Sequence, residues 1–196
     1  MEIAELRKGG KRIIILGSIY GLVSDGKSVR AKLEIEKPEI VALGISKEDL
    51  QALGGAECED TYDAYFKGLE RFGEVSLPSP DLLAAIDYSK KHSARLVAID
   101  LTDDEYSEAL CSNVSTLQVI AFSRRKIRGV KSTSAADFSL RWDLKKHREK
   151  GFKKINEISE RIMSERIFDL NRKEGKIVAI IDLPRFEGVI RMVNTP

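Results

Sequence analysis

Four apolar segments of the sequence run directly into short loops, and in an α/β protein such loops carry the catalytic or ligand-binding side chains. The loops read Gly17-Ser18-Ile19-Tyr20, Gly44-Ile45-Ser46, Asp100-Leu101-Thr102-Asp103 and Asp182-Leu183-Pro184-Arg185. Their hydroxyl groups, carboxylates and guanidinium suit the binding of a polar ligand. Neither His92 nor His147 lies in these loops, and both stand among lysines, as is typical of a surface helix. A Ser-His-acid triad is therefore not predicted.

The sequence motifs that bind common cofactors are absent. Gly17, Gly21 and Gly26 lack the spacing of a dinucleotide-binding or phosphate-binding loop. There is no His-Glu-x-x-His motif. Cys58 and Cys111 each lack a second cysteine at metal or redox spacing, so we expect two reduced thiols in the core. We predict no metal site and no cofactor.

The apolar segments predict an α/β fold with a mainly parallel central sheet flanked by helices. Residues 13–16, 40–43, 96–99 and 177–181 are short apolar runs without polar alternation. Such runs are typical of parallel strands that are covered on both faces. The length of 196 residues suits one core, and we expect a single domain over residues 1–196.

Helix-start signals follow the predicted strands. They are Ser24 or Asp25 before Lys27, Ser46 with Asp49, Thr102 with Glu105, and Ser79 with Pro80. The small polar stretch 132–136 predicts a mobile loop. From Phe152 onward, isoleucines recur near helical spacing between charged residues, which predicts a long amphipathic helix in the C-terminal half.

Composition limits the location and the partners. Lys and Arg number 33 and Asp and Glu 31, so the net charge of +2 gives no general attraction to nucleic acid. The abundance of both positive and negative side chains is typical of thermophile proteins. A thermophilic origin of this protein is therefore a hypothesis. The start of the sequence does not resemble a signal peptide, and no apolar run approaches the roughly 20 residues that span a bilayer. We expect a cytoplasmic protein without a membrane partner.

The order of these segments resembles the TraB/PrgY family. Residues 12–20 and 37–43 are similar to that family's opening strand, its Lys-Pro-Asp turn and its second strand. Residues 80–86 and 94–100 resemble its Ala-Ala-Ile helix and Ile-Asp strand. Residues 164–167 and 177–189 resemble its Glu-Arg-Asp segment and closing Gly-x-Gly-His-x-x-Gly turn. The resemblance implies a TraB-like fold, related to the Tiki proteases, which are thought to be metal-dependent.

The chain departs from that family at the positions that implied catalysis. Tyr20 and Arg185 stand in place of two histidines, and Gly44 stands in place of a glutamate. An arginine cannot ligate a metal. The family residues that remain are Asp100, Glu165, Arg166 and Gly188. The family's C-terminal membrane segment has no counterpart here. The resemblance therefore implies a pseudoenzyme, more in line with binding than with catalysis.

Our leading hypothesis is that the old cleft still binds a small anionic ligand, a peptide or a partner protein. The candidate residues are Ser18, Tyr20, Asp100, Glu165, Arg166, Asp182 and Arg185. The structural alternative makes Glu165 and Arg166 ordinary helix ion pairs and Asp100 a turn residue.

Three other hypotheses stay open. A hydrolase with a rebuilt, metal-free site would use Arg185 as its fixed cation, with Asp100 or Asp182 as base. A nucleic-acid site would use the basic region 124–154, whose second stretch from Arg141 to Lys154 contains Trp142 and Phe152, although the near-zero net charge and the acidic stretch 57–60 oppose it. Its residues are Arg124, Arg125, Lys126, Arg128 and Lys131. A homodimer would use the exposed sheet edge or Tyr62, Tyr65 and Phe66.

Overall fold

The chain folds into an α/β structure, as predicted, and the computed structural model describes residues 1–8, 11–53, 60–127, 129–173 and 175–194. The strands are β1 (Glu2–Lys8), β2 (Lys11–Ser18), β3 (Ile40–Leu43), β4 (Arg95–Ala98) and β5 (Ile177–Asp182). The helices are α1 (Val23–Glu36), α2 (Lys47–Ala52), α3 (Asp60–Leu69), α4 (Pro80–His92), α5 (Asp103–Asn113), α6 (Thr116–Ser123), α7 (Ala135–Lys146), α8 (Lys150–Lys173) and α9 (Leu183–Asn194).

The strand order is β1-β2-β5-β3-β4, and every neighbouring pair except β1 with β2 is parallel. The closing strand β5 therefore lies in the middle of the sheet, between β2 and β3. Its register pairs Ser18 with Asp182 and Leu43 with Ile180. The carboxyl ends of β2 and β5 thus stand side by side, and the loops that follow them meet at one edge.

Both faces of the central strands are buried, which is why their sequences show no polar alternation. One face of β2 carries Ile13 and Ile15, which pack with α3, α7, α8 and α9. The other face carries Ile14 and Leu16, which pack with α1 and α4. All four isoleucine and leucine side chains are fully buried.

The sequence patterns missed the edge strand β1. It pairs antiparallel with β2, with Glu2 opposite Gly17 and Lys8 opposite Lys11. Ala4 and Leu6 are half-buried against the core, whereas Ile3 is exposed. A strand with such a thin apolar face and alternating charges gives a weak sequence signal. Its charged residues leave the sheet edge with little apolar surface for pairing to another copy.

The helix starts confirm part of the predictions. Thr102 and Glu105 form a full capping box at α5, and the Ser46 hydroxyl accepts from the Asp49 backbone N–H. Helix α1 begins at Val23, so Ser24 and Asp25 are not its cap. Asp25 is buried and accepts a hydrogen bond from the Ile19 N–H at 2.8 Å instead. Ser79 precedes α4 as predicted, but its hydroxyl makes no cap hydrogen bond.

Other local predictions have mixed outcomes. The long helix α8 is confirmed. The loop prediction for 132–136 is wrong at its end, because Ser134 caps α7 and Ala135 begins it. Cys111 is exposed, so it is not a core thiol, and Cys58 lies outside the described residues.

Two of the aromatic residues that suggested a homodimer surface are not available for one. Tyr65 and Phe66 are buried in the core, and the side chain of Tyr62 lies outside the described residues.

One buried carboxylate joins several elements at the amino ends of the strands. Glu36, whose side chain is 5% exposed, accepts from Lys176 at 2.5 Å, Lys32 at 2.8 Å and Arg12 at 2.9 Å. The hydrogen bond from Lys176, followed by that from Lys32, lowers the pKa of Glu36 to about 2. This carboxylate therefore ties the end of α1 to β2 and β5 in its ionised form.

We predict that Glu36→Gln lowers the free energy of unfolding at pH 7 by about 2 kcal/mol, because hydrogen bonds to a buried charge are lost. The native pKa is below the unfolded value, so this stabilisation is complete above about pH 4.5 and is lost as the pH falls towards about 2. Urea unfolding across pH 2–7 checks this, with Glu34→Gln as control, since Glu34 makes an exposed ion pair with Lys91. A deficit that persisted at pH 2 would contradict the role of the charge.

Candidate functional site

A cleft opens at the carboxyl ends of β2 and β5, and its volume is about 370 Å³. Ser18, Tyr20, Asp182 and Arg185 of the predicted set line this cavity. The other lining residues are Gly44, Ile45, Asp49, Ala52, Leu53, Tyr65, Asp81, Leu82, Ser139, Trp142, Asp143, Lys146, His147, Ile180, Ile181 and Pro184. Tyr20 lines the cleft, whereas Phe186 is buried in the core against Gly17.

The wall beside Ser18 is a closed hydrogen-bond network. The Ser18 hydroxyl donates to the carboxylate of Asp81, which is buried and also accepts from the Ser79 hydroxyl. The Ser79 hydroxyl in turn accepts from the Gly21 N–H at 2.7 Å. These bonds fix the β2 loop against the start of α4. Ser18 therefore has a clear structural role in shaping the cleft.

Arg185 is the central charge of the site. Its Nη1 atom lies 3.0 Å from Oδ1 of Asp143 and 3.6 Å from Oδ2 of Asp182. Burial alone would lower the pKa of Arg185, but Asp182 and Asp143 raise it above the ordinary value. The guanidinium is thus a fixed cation that is already faced by two carboxylates.

The pKa values of the two carboxylates beside Arg185 are shifted in opposite directions. Burial raises the pKa of Asp182, and Arg185 offsets only part of that effect. For Asp143, burial also raises the pKa, but hydrogen bonding to His147 and the charge of Arg185 lower it below the ordinary value overall. Asp182 stays 40% accessible to solvent inside the cleft, whereas Asp143 is 19% accessible. The negative charge of Asp182 is therefore less well compensated by its neighbours than that of Asp143.

His147 belongs to this site, which corrects its assignment to an exposed helix surface. It follows α7, is 15% exposed, and its Nδ1 lies 2.8 Å from Oδ1 of Asp143. Its ring stacks on Phe122 at 6.1 Å. His92, in contrast, does lie at the surface, where it contacts Glu34 and stacks on Tyr88.

A second cavity of about 220 Å³ adjoins the first, and Arg185 lines both. Asp100 lines this second cavity, at the end of β4. Its carboxylate accepts from the Ser159 hydroxyl at 2.6 Å and from the Leu101 N–H at 2.7 Å. Asp100 therefore sits close to the site but is held within its own loop.

Glu165 and Arg166 line neither of these cavities. Glu165 is 56% exposed and pairs with Arg161 at 3.2 Å. Arg166 donates to both oxygens of Glu105, at 2.7 and 2.8 Å, and to the Asp100 carbonyl. Arg166 thus clamps α8 to the β4–α5 connection. The structural alternative describes Glu165, which makes an ion pair within its helix, whereas Arg166 pairs with a residue of α5.

The basic region does not form a base-stacking surface. Phe152 is buried, and Trp142 packs against Tyr65 and Phe138 in the core. Arg125 is bound by Glu149 and by the carbonyls of Lys145 and Lys146. Arg124, Lys126 and Lys131 are exposed, and Arg128 lies outside the described residues. Phe152 and Trp142 therefore pack inward instead of forming a stacking surface with the exposed cations, and nucleic-acid binding stays a prediction.

Two glycines, Gly44 and Gly188, lie very close to neighbouring side chains. A Cβ atom at Gly44 would lie 2.8 Å from Cγ2 of Ile181, so a glutamate at this position cannot be placed without a shift of the sheet. A Cβ atom at Gly188 would collide with the carboxylate of Glu160 on α8. Burial raises the pKa of Glu160, although Arg185 opposes this. Gly188 thus lets α9 pack closely against α8 with the Glu160 side chain in its present position.

Sequence reasoning missed the contribution of α7 to the cleft. Trp142 and Asp143 lie on α7, His147 follows it directly, and Tyr65 comes from α3. Burial raises the pKa of Tyr65 to about 12, so its hydroxyl stays protonated as a hydrogen-bond donor. The Asp143–His147 spacing of four residues was the available signal, since such pairs meet on one side of a helix.

The chain matches no protein-family model and no curated protein. Within the described ranges, no three His, Cys, Asp or Glu side chains are grouped as a metal ion would require. No helix of the described part is long and apolar enough to cross a bilayer.

We predict opposite stability effects for two substitutions beside Arg185. Because the native pKa of Asp182 is raised, its ionisation destabilises the fold as the pH rises, and Asp182→Asn should stabilise the protein at pH 7 by up to about 1 kcal/mol after allowance for solvent in the cleft. Asp143→Asn should destabilise it by about 2 kcal/mol, because Arg185 and the hydrogen-bonded ring of His147 lose the negative charge of the carboxylate. Urea unfolding at pH 7 and near pH 3 measures both changes. The gain from Asp182→Asn should vanish near pH 3, and destabilisation by that variant at pH 7 would contradict the prediction.

Proposed function

We propose that the protein is a non-catalytic, TraB-like binding domain whose cleft takes the amino terminus of a peptide, or another primary amine on an apolar group. The observation that supports this most directly is the carboxylate of Asp182, which lines the cleft and is only partly compensated by Arg185. A partly exposed carboxylate with a raised pKa in a cleft costs stability when it ionises, and such costs are typical of functional sites.

The size and the lining of the cleft suit a small ligand. A volume of about 370 Å³ lies within the range of small-molecule sites, roughly 300–1,000 Å³. Apolar side chains form much of its wall, including Ile45, Leu53 and Trp142. An apolar group of the ligand would be buried there, while the polar groups near Arg185 would orient it.

The charges favour a ligand that carries hydrogen-bond donors over the small anion that the sequence suggested. Arg185 already faces Asp143 and Asp182, so its charge is compensated before any ligand arrives. Asp49 adds another carboxylate to the lining, and Lys146 adds one more cation. A ligand anion near Arg185 would be repelled by these carboxylates, whereas an ammonium group would pair with Asp182.

We predict that leucyl-glycyl-glycine binds the protein and that its N-acetyl derivative binds at least about ten-fold more weakly, because acetylation removes the charge that pairs with Asp182. Isothermal titration calorimetry at pH 7 measures both. The affinity for the free amine should fall as the pH is lowered and Asp182 becomes protonated.

Matched variants make this test specific to the cleft. Asp182→Asn should bring the two peptides to similar affinity. Glu165→Gln alters a carboxylate that lies outside the cavities and should leave the difference intact. Equal binding of the two peptides by the wild-type protein, or tighter binding of citrate than of the free amine, would refute the amine site.

A second candidate is hydrolysis at the same place, in a rebuilt and metal-free site. Asp182 has the raised pKa expected of a general base, and Arg185 is a fixed cation within 3.6 Å of it. Release of nitroaniline from leucine p-nitroanilide, lost in Asp182→Asn and kept in Glu165→Gln, would support this function. Binding without turnover would leave the non-catalytic function as the better description.

A further inference from the structure

Helix α6 turns apolar side chains to solvent in an unusual way. Its sequence is Thr-Leu-Gln-Val-Ile-Ala-Phe-Ser, all of its residues are described, and none is buried. Leu117 is 78% exposed, Ile120 41% and Val119 39%. Exposed apolar side chains grouped in this way mark an interaction site more often than isolated ones do.

One side of α6 packs against the rest of the protein. The exposure of its apolar side chains is therefore not that of a helix detached from the fold. Phe122 stacks on Phe152 with ring centroids 4.4 Å apart. At the other end, the Gln118 side-chain oxygen lies close to the start of α8, where it would be 3.0 Å from a Cβ atom at Gly151. Helix α6 is therefore fixed to the protein on this side, and its exposed apolar side chains form a ridge on the other.

The exposed apolar residues are spread over more than half of the helix circumference. At 100° per residue, positions 119, 120, 117 and 121 span roughly 200°, and the hydroxyl residues Thr116 and Ser123 lie within this arc. A partner protein usually covers one stripe of a helix, as helix-in-groove recognition does. Apolar side chains that are spread so widely and mixed with small hydroxyl residues suit a soft medium that closes around them, such as the interface of a lipid bilayer.

The charge around α6 is strongly basic. Residues 114–154 contain 12 Lys and Arg but three Asp and Glu, which gives this segment +9, whereas the rest of the chain carries −7. Its three acidic residues are each engaged by a cation, through the pairs Asp137–Arg141, Asp143–Arg185 and Glu149–Arg125.

Exposed cations stand at both ends of α6. Arg124 and Lys126 follow it directly, and Lys150 and Lys153 lie on the first turn of α8, which contacts Gln118. Two copies of this surface would repel each other, which disfavours self-association through α6. Anionic headgroups would neutralise the cations while the ridge enters the interface.

We propose that α6 docks the protein on the surface of a bilayer that contains anionic phospholipid. Leu117, Val119 and Ile120 enter the boundary between headgroups and acyl chains, and Arg124, Lys126, Lys150 and Lys153 contact the headgroups. The contact is peripheral and reversible, because a single short helix buries little apolar surface. The site is separate from the cleft, and the inference does not depend on the proposed ligand.

Sedimentation with large unilamellar vesicles tests this. The vesicles are phosphatidylcholine alone or with about 30% phosphatidylglycerol, an anionic lipid. We expect binding to the anionic vesicles, with at least about ten-fold weaker partitioning to phosphatidylcholine alone and at about 0.5 M salt. Leu117→Asp and Ile120→Asp should each lower the partition coefficient about ten-fold or more, because a charge replaces an apolar side chain in the interface.

An exposed apolar residue away from α6 serves as a control, because it shows whether vesicle binding depends on α6 or on any exposed apolar side chain. Ile35 on α1 is 73% exposed, and Ile35→Asp should leave vesicle binding unchanged. Each variant is surface-exposed, and equal urea midpoints establish that it is folded. Absence of binding to anionic vesicles, or binding that Leu117→Asp leaves intact, would overturn the proposal.

Two further results would also overturn it by identifying another occupant. One is a dimer in size-exclusion chromatography that Leu117→Asp dissociates, with no vesicle binding. The other is binding of RNA or DNA that weakens in a Lys150→Glu/Lys153→Glu variant but not in Leu117→Asp, again without vesicle binding.

Discussion

The central strands β2, β5 and β3 have no side that faces water, and this constraint determines where the protein can place polar groups. Their isoleucine, leucine and valine side chains are buried on both faces. Charged groups are therefore excluded from the sheet itself and collect at its two ends. The amino end holds Glu36 among three cations, and the carboxyl end holds Arg185 among carboxylates.

The two ends use charge in different ways. At the amino end one carboxylate is over-compensated, which lowers its pKa and stabilises the fold. At the carboxyl end one cation is shared by Asp143 and Asp182, and Asp182 is left with a raised pKa beside a cavity. The charges at the amino end of the sheet thus stabilise the fold, whereas the charge of Asp182 at the carboxyl end costs stability beside a cavity. This polarity is that of parallel α/β proteins in general, which bind their ligands beyond the carboxyl ends of the strands.

Sequence patterns located the parts of the fold that depend on local signals. Uninterrupted apolar runs identified the inner strands, and Thr102 with Glu105 marked the start of α5. The edge strand β1 escaped because Ala4 and Leu6 supply its inner face and charges separate them. The start of α7 escaped because residues 132–136 are small and polar, as loops are.

The site was harder to predict because it depends on contacts between distant segments. Ser18 and Asp81 meet although 63 residues separate them. The cations around His147 indicated a solvated face, but its side chain turns inward with Asp143. Glu165 and Arg166 were candidates through family resemblance, and their i, i+1 positions send one side chain to solvent and the other to Glu105. Tertiary packing, rather than residue type, decided which polar groups reach the cleft.

The contact between Gly44 and Ile181 limits how the cleft can be altered. With Ile181 on β5, a side chain at position 44 has no room, and overpacking of this kind costs about 1–3 kcal/mol. The two positions are 137 residues apart yet constrain each other across neighbouring strands. An acidic residue at position 44 avoids that cost only after position 181 has become smaller. The order of substitutions, and not their number alone, therefore limits which engineered sites this fold can accept.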